Sequence, residues 1–257
     1  MHKEENKNDL HEALAKKPDW VGGNINAIDV QFLGNLIEKV KPVNIIEIGV
    51  ASGFSSSIMI ASAISNRADF KTLKAFDLFE SYYLDSSRKT GACVYDMIPD
   101  NLELFDLRTG VITAEIDAIE LNEFEFAFID ANHMHPWASL DLLAIIPFLK
   151  ENSWVALHDI FLNTVERHKH KNRGPYYLFN LYQGLKEMSS NDPATIGAVF
   201  IQDKNKIAKM LIEILYTPWE VSISTDHCEK FIDHISKYYD SEISLSFNKM
   251  LINMRNN

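Results

Sequence analysis

The stretch IIEIGVASGFSS, Ile45–Ser56, decides the fold. Its apolar start suits a buried β-strand, and the bend that follows carries two glycines among small side chains. A helical pattern, SSSIMIASAIS, begins at Ser55. Glycine lets the backbone approach a ligand closely, and a helix N-terminus presents unpaired N–H groups. We therefore expect this bend to form part of a binding site.

The rest of the chain repeats the alternation of apolar strands and helices. Asn26 is a candidate N-cap for a first helix that Pro42 ends. Strands are predicted at 44–50, 72–79, 102–110, 125–131, 153–160 and 195–201, and further helices at 136–149 and 174–188. Such a pattern predicts an α/β fold, a Rossmann-like, doubly wound and mostly parallel sheet with helices on both faces. The region 80–100 reads as a loop with some helix.

Helical stripes after residue 201 predict a C-terminal extension. We divide the chain into a polar N-terminal segment at 1–23, which reads as mobile or as a short helix, a main domain at 24–201 and the extension at 202–257. The extension covers the sheet edge or forms the face of a homo-oligomer, and the sequence leaves both open.

Composition excludes several classes of protein. The net charge is −11, which argues against non-specific binding to nucleic acid or to an anionic membrane. No apolar run approaches the roughly 18 residues that a membrane span needs. The two cysteines give neither a disulfide framework nor a metal-ligand spacing. These features predict a cytoplasmic protein.

Chemically active side chains follow the predicted strands. Asp77 ends the second strand, Asp130 and His133 follow the fourth, and Asp159 ends the fifth. Ligands of open α/β sheets bind beyond the carboxyl ends of the strands, so these residues should share a site with the first bend.

The first bend lacks the pattern of a dinucleotide site. It runs from Gly49 through Ser52 to Gly53 without the third glycine of G-x-G-x-x-G. Glu47 is an acid inside an apolar strand, which is unfavourable unless it is hydrogen-bonded. A plain strand-to-helix turn with Glu47 capping nearby amides explains this stretch as well as a ligand site does.

The sequence EIGVASGFSS resembles the first motif of class I S-adenosylmethionine-dependent methyltransferases, E-x-G-x-x-x-G. The segment FIDANHMHPWASLDLLAIIPFLKENSWVALHDI, residues 128–160, is similar to the metal-dependent O-methyltransferases of sugars and natural products. The resemblance extends over about residues 20–201. It implies S-adenosylmethionine as the cofactor, with Asp77 on its ribose and the segment near Gly110 beside its adenine. The cofactor-binding residues that it implies are Glu47, Gly49, Ala51, Ser52, Gly53, Ser55, Asp77 and Gly110.

Methyl transfer to a hydroxyl needs help in removing the proton. Asp130 and Asp159, on adjacent strand ends, could share a hard cation such as Mg²⁺, with His133 near enough to act as the base. The resemblance implies the same roles, but Ile160 stands where that family often has another acid. Asp130 could instead cap a helix or face the cofactor without a metal.

Other polar residues favour plainer interpretations. Strand alternation predicts that His158 points away from Asp159 and is packed, and His135 reads as a surface residue. The basic run Glu166–Gly174 is expected to be a solvated loop, or a loop that overhangs the pocket and either meets an anionic substrate or closes as a lid.

The leading function is therefore S-adenosylmethionine-dependent O-methylation of a small-molecule hydroxyl acceptor, a sugar or another natural product. A nicotinamide-dependent oxidoreductase and a non-catalytic cofactor-binding protein are the alternatives. The missing glycine counts against the first of these, and the acids on two adjacent strand ends count against the second.

Overall fold

A computed structural model describes residues 16–23, 25–67, 69–117 and 122–255. The prediction for the first part of the N-terminal segment, 1–15, lies outside the described residues. The helices are α1 (Ala27–Val40), α2 (Phe54–Asn66), α3 (Ala92–Met97), α4 (Trp137–Ile145), α5 (Gly174–Leu181), α6 (Lys204–Ile214), α7 (Thr225–Tyr238) and α8 (Ser241–Arg255). The strands are β1 (Asn44–Ile48), β2 (Thr72–Asp77), β3 (Ser81–Tyr82), β4 (Asp85–Lys89), β5 (Phe105–Thr109), β6 (Phe124–Ile129), β7 (Leu149–His158), β8 (Lys186–Met188) and β9 (Ile196–Ile201).

Seven strands form one sheet in the order β5-β2-β1-β6-β7-β9-β8. Pairing is parallel from β5 through β7, and β9 and β8 are antiparallel to their neighbours. The predicted Rossmann-like, mostly parallel sheet is confirmed. The order reverses at β1 and β6, and this switch point is where a parallel sheet opens a crevice for a ligand.

Alternate residues of the central strands enter two separate cores. Ile45 of β1 and Phe126 of β6 pack with α1 and α2 on one face of the sheet. Ile46 and Ala127 pack on the other face with the helices from α4 onward. A period of two along a strand places neighbours on opposite faces, and helices cover both faces here.

The C-terminal helices pack on the second of these cores. Leu211, Phe231 and Phe247 are buried in the same cluster as Phe148, which follows α4. The C-terminal extension therefore shares a hydrophobic core with the sheet. The domain boundary at residue 201 stays a prediction.

Local signals explain where α1 begins. Asn26 caps the helix by accepting from the backbone N–H groups of Ile28 and Asp29, and the Asp29 side chain accepts from the Asn26 N–H in return. This reciprocal capping satisfies N–H groups that a helix N-terminus leaves unpaired. It also fixes Asp29 at the buried start of the helix.

Two regions differ from the prediction. The helix expected over 174–188 ends at Leu181, because the backbone turns extended at Tyr182 and Lys186–Met188 pairs with β9 as an edge strand. The Tyr182 hydroxyl donates to the Phe200 carbonyl and holds this turn against the sheet. In region 80–100, β3 and β4 form a small antiparallel hairpin before α3.

Candidate functional site

The bend after β1 is built around contacts between its own backbone and neighbouring strands. Gly49 has a φ of +87°, and a Cβ atom there would lie 2.2 Å from the Asp130 carbonyl oxygen. The Gly49 N–H donates to the Phe76 carbonyl, and the Asp130 N–H donates to the Ile48 carbonyl. Glycine is therefore required because two strand ends meet here, in addition to any approach by a ligand.

Asp77 fastens this bend from the end of β2. Its Oδ2 accepts from the backbone N–H groups of Val50, at 2.8 Å, and Ala51, at 3.0 Å. Its Oδ1 accepts from the Phe79 N–H at 2.8 Å. The carboxylate thus lies between the bend and the segment after β2, at the edge of a cavity.

Glu47 lies beneath the bend, fully buried in β1. The hydroxyls of Ser55 and Ser56, in the first turn of α2, donate to its two oxygens. Burial raises the pKa of Glu47 to about 8, although both hydroxyls act in the opposite direction. The motif acid therefore couples β1 to the start of α2 and does not line the cavity.

A cavity of about 310 Å³ opens at the carboxyl ends of β1, β2 and β6. Gly49, Ala51, Asp77 and Asp130 line it, and these four were predicted from the sequence. Ser52, Gly53 and Ser55, which the resemblance also implied, are not among its lining residues, and Gly110 immediately precedes a stretch that lines the cavity. The other lining residues are Ile48, Phe76, Leu78, Phe79, Tyr83, Val111, Ile112, Thr113, Ala131, Asn132, Trp137 and Asp141.

Sequence reasoning missed the wall formed by Val111–Thr113 and α4. Thr113 and Asp141 are both buried, and they are hydrogen-bonded to each other. The available signal was a lone acid, Asp141, inside the helix WASLDLLAI, whose other residues are apolar apart from Ser139.

Asp130, His133 and Asp159 converge at the ends of β6 and β7. His133 Nε2 lies 3.2 Å from Asp130 Oδ1 and 3.4 Å from Asp159 Oδ2. One ligand atom from each residue can be chosen so that all three lie within 4.8 Å of one another. Two carboxylate oxygens and an imidazole nitrogen at this spacing suit a divalent cation.

His158 also faces this cluster, so the prediction that it is packed away from Asp159 is wrong. Its Nδ1 lies 3.2 Å from Asp130 Oδ1 and 3.7 Å from Asp159 Oδ1, and its Nε2 lies 3.3 Å from Asp29 Oδ2. Asp159 has a φ of +56°, outside the extended strand conformation. This turn of the backbone ends strand alternation and brings both side chains to the same site.

In this cluster, burial and the charges of neighbouring acids and imidazoles shift the pKa of each group. Burial would raise the pKa of Asp130, but the charges of His158 and His133 outweigh it and lower that pKa. Burial would likewise lower the pKa of His133, and Asp130 outweighs it, so that pKa is raised. For Asp159, burial is the larger effect and raises the pKa.

Ile160 and His135 are both buried, and only His135 was predicted to lie elsewhere. Ile160 is fully buried and packs in the core with α5, so it leaves no position for another acid toward the cluster. His135 is fully buried rather than on the surface. Its Nε2 lies 2.8 Å from the Thr217 hydroxyl, and its ring meets Tyr177 edge-on.

A backbone hydrogen bond joins the end of the basic run to the cluster. The Gly174 N–H donates to the His133 carbonyl at 2.7 Å, and a Cβ atom at Gly174 would lie 2.8 Å from the same oxygen. Residues 166–168 form one turn of 3-10 helix and residues 169–172 form a loop before Gly174, with mostly exposed side chains.

Comparison with known proteins supports the architecture. Residues 46–160 match the family model described as a methyltransferase domain. A search of curated proteins found no match. Within the described ranges, no helix is long and apolar enough to span a membrane.

Three solved structures show the same fold at low sequence identity. An O-methyltransferase from Bacillus cereus in complex with SAH is 16% identical, with a TM-score of 0.53 over 75% of this chain and 90% of that one. TomG from Streptomyces achromogenes, an O-methyltransferase of tomaymycin synthesis in complex with SAM, is 15% identical, with a TM-score of 0.53 over 76% and 90%. Cofactor-bound Rv0187 from MTB is 13% identical, with a TM-score of 0.53 over 76% and 90%.

The sheet order, the cavity at the switch point and the family match agree with one another. We conclude that residues 46–160 are similar to a methyltransferase domain and that the chain has the fold of the three solved structures.

Proposed function

We propose that this protein transfers the methyl group of S-adenosylmethionine to a hydroxyl oxygen of a small molecule. One observation carries the proposal: Asp130 belongs both to the wall of the cavity and to the cluster with His133 and Asp159. A cofactor in the cavity would therefore lie next to groups that can handle a hydroxyl proton.

The cavity supplies what the cofactor needs. Gly49 and Ala51 expose backbone where a ligand can approach, and Asp77 offers a carboxylate at the cavity edge. A carboxylate that accepts from ribose hydroxyls would hold them by charge-assisted hydrogen bonds. Glu47, Ser52, Gly53 and Ser55 would act indirectly, by shaping the bend.

Asp130 and Asp159 fit a hard divalent cation, and we propose that they hold Mg²⁺. When bound, the cation would lower the pKa of an acceptor hydroxyl and balance the negative charge of the two acids. Two protein carboxylates are a common set for Mg²⁺, which keeps several waters. Ile160 offers no oxygen ligand, but a site with two carboxylates does not need a third acid at this position.

His133 is the proposed base. Its Nε2 already faces both acids, at 3.2 Å from Asp130 Oδ1 and 3.4 Å from Asp159 Oδ2, so it lies where an acceptor hydroxyl held by the cation would release its proton. The same position would suit a third metal ligand, so the two roles need a direct test. Removing the proton as the methyl group is transferred is the step that a positioned base accelerates.

The acceptor is proposed to be a small, uncharged or weakly charged molecule. A net charge of −11 does not favour a polyanion. The B. cereus and Streptomyces structures are O-methyltransferases by description, and this supports oxygen as the methylated atom.

Ligand binding tests the proposal. Isothermal titration calorimetry should show S-adenosylhomocysteine binding and no binding of NAD⁺. Asp159→Asn should weaken Mg²⁺ binding and leave S-adenosylhomocysteine binding unchanged, because Asp159 does not line the cavity. Preferential binding of NAD⁺ would favour an oxidoreductase. Tight cofactor binding without methyl transfer to any hydroxyl in a broad panel of sugars and phenols would favour a non-catalytic protein.

A further inference from the structure

A buried acid on α4 has no role in the chemistry proposed above. Asp141 lines the cavity and is 5% exposed, in a helix whose other residues are apolar apart from Ser139. An acid in such a place is unfavourable unless hydrogen bonds compensate for its lost hydration.

Thr113 provides part of that compensation. Its hydroxyl donates to Asp141 Oδ1 at 2.7 Å, and both residues line the same cavity. An ionised carboxylate can accept about four hydrogen bonds. Among the residues that the structure describes, only the Thr113 hydroxyl donates a hydrogen bond to the Asp141 carboxylate.

The pKa of Asp141 is consistent with a buried carboxylate that has few hydrogen-bond partners. Burial raises the pKa of Asp141 to about 7, against the opposing effect of the Thr113 hydroxyl. A donor from a bound molecule would relieve this imbalance, and the cavity is the side from which it can come.

The surroundings of Asp141 identify the kind of donor. Phe76, Val111, Ile112 and Trp137 contribute apolar surface to the same cavity. A flat, mainly apolar group that carries one hydrogen-bond donor on its edge suits this wall. Within S-adenosylmethionine, the adenine ring with its exocyclic amine fits that description. The ribose hydroxyls are assigned above to Asp77, and the methionine ammonium is a full charge that suits a more polar position.

We propose that Asp141 selects the nucleobase of the cofactor by accepting a hydrogen bond from the adenine amine, with Thr113 fixing the orientation of its carboxylate. This inference rests on the proposed cofactor. It assigns base specificity to α4, whereas the sequence pointed to the segment near Gly110.

Calorimetry with two nucleosides whose purines differ only at the 6-substituent and the adjacent N1 tests the inference. S-Inosylhomocysteine carries a carbonyl oxygen in place of the amine and a hydrogen on N1, so in the pose of the adenine ligand its oxygen would face the carboxylate of Asp141. At pH 8, above the pKa of about 7, Asp141 is mainly ionised, and the unaltered protein should bind S-adenosylhomocysteine roughly 10- to 100-fold more tightly, the range for one hydrogen bond to a charged group. A ratio near one would overturn the proposal without any variant being made.

Asp141→Asn gives a sharper result, because its amide can donate to the carbonyl of the inosyl ligand. The preference for adenine should shrink or reverse in this variant. Thr113→Val, which keeps the side-chain shape, should reduce the preference without reversing it. A thermal melt identifies any variant that fails to fold, and the two-ligand ratio of the unaltered protein does not depend on the variants.

The outcomes separate this inference from the proposed function. If S-adenosylhomocysteine binds but Asp141→Asn leaves the ligand ratio unchanged, only the assignment of Asp141 is overturned. If neither nucleoside binds the unaltered protein, the proposed cofactor is wrong and this inference is overturned with it.

Discussion

His158 Nε2 lies 3.3 Å from Asp29 Oδ2, while the opposite ring nitrogen lies 3.2 Å from Asp130 Oδ1. The imidazole therefore bridges an acid at the start of α1 and an acid of the candidate site. Asp29 is fully buried, and the Thr195 hydroxyl also donates to it. The start of α1 is thereby tied to the end of β7.

Asp29→Asn should destabilise the protein. The change removes the negative charge that faces His158 and weakens the capping of α1, and loss of one partner of a buried charged pair costs about 3–5 kcal/mol. Urea unfolding followed by circular dichroism measures this change. Asp69→Asn, at an exposed salt bridge with Arg67, is the matched control and should change stability by less than about 1 kcal/mol. Equal effects of the two changes would show that the bridge through His158 contributes little to stability.

Gly49→Ala should be far more damaging than Gly110→Ala. Both glycines have a positive φ, +87° and +78°, but an added Cβ at Gly110 meets nothing within 4 Å. The control therefore reports only backbone strain, about 1–2 kcal/mol. At Gly49 the Asp130 backbone must also move, and both stability and S-adenosylhomocysteine binding should be lost. Thermal melts and calorimetry compare the two variants, and similar losses would refute the contact-based account of Gly49.

The pKa of Glu47 predicts a pH-dependent stability. Because the pKa is raised from 4.5 to about 8 in the folded protein, the folded state keeps a proton that the unfolded chain loses. The stability that the protonated Glu47 contributes is fully present below pH 4.5 and is lost as the pH rises through about 8, by as much as about 5 kcal/mol. Glu47→Gln cannot ionise, so its stability relative to the unaltered protein should increase with pH across this window.

Urea unfolding at pH 5 and pH 9 measures that difference. Glu229→Gln, at an exposed position of α7, is the control and should show no such trend. A constant difference between Glu47→Gln and the unaltered protein at both pH values would mean that Glu47 is ionised in the fold throughout.

Asp77→Ala should weaken S-adenosylhomocysteine binding by about 1.5–3 kcal/mol, the range for hydrogen bonds to a charged group. The loss combines the proposed contact with the ribose and the hydrogen bonds from Val50 and Ala51 that hold the bend. Calorimetry with 2′-deoxy- and 3′-deoxyadenosyl ligands separates these contributions. If the deoxy ligands lose no affinity on the unaltered protein, Asp77 does not contact the ribose and acts only on the bend.

Much of the fold could be predicted from the sequence, because a parallel strand that is buried on both faces consists of consecutive apolar residues. The runs around Ile45, Phe126 and Val155 each proved to be a central strand. The helix predicted after Gly174 was too long, because the pairing that makes Lys186–Met188 a strand comes from β9, outside the local pattern. Pairing with a distant strand is a tertiary effect that propensity does not report.

The candidate site was partly predictable for a related reason. Residues at the ends of parallel strands share one edge of the sheet, so Asp130, His133 and Asp159 could be expected together. The approach of Asp159 to His158 could not, because it follows from the positive φ of Asp159, which interrupts strand alternation at that residue. The partnership of Thr113 with Asp141 spans 28 residues and joins two elements that strand-end reasoning leaves out.

The central claim is that Asp130 and Asp159 hold a cation while His133 takes the proton of the acceptor. The most direct measurement is the single-turnover rate of methyl transfer to an accepted hydroxyl compound, with EDTA or Mg²⁺, for the unaltered protein and for His133→Ala. We expect EDTA to stop transfer and Mg²⁺ to restore it. We expect His133→Ala to slow transfer by about 10²–10⁴ while S-adenosylhomocysteine and Mg²⁺ bind as before. Undiminished transfer in EDTA would contradict the cation, and full activity of His133→Ala, or loss of its Mg²⁺ binding, would contradict His133 as the base.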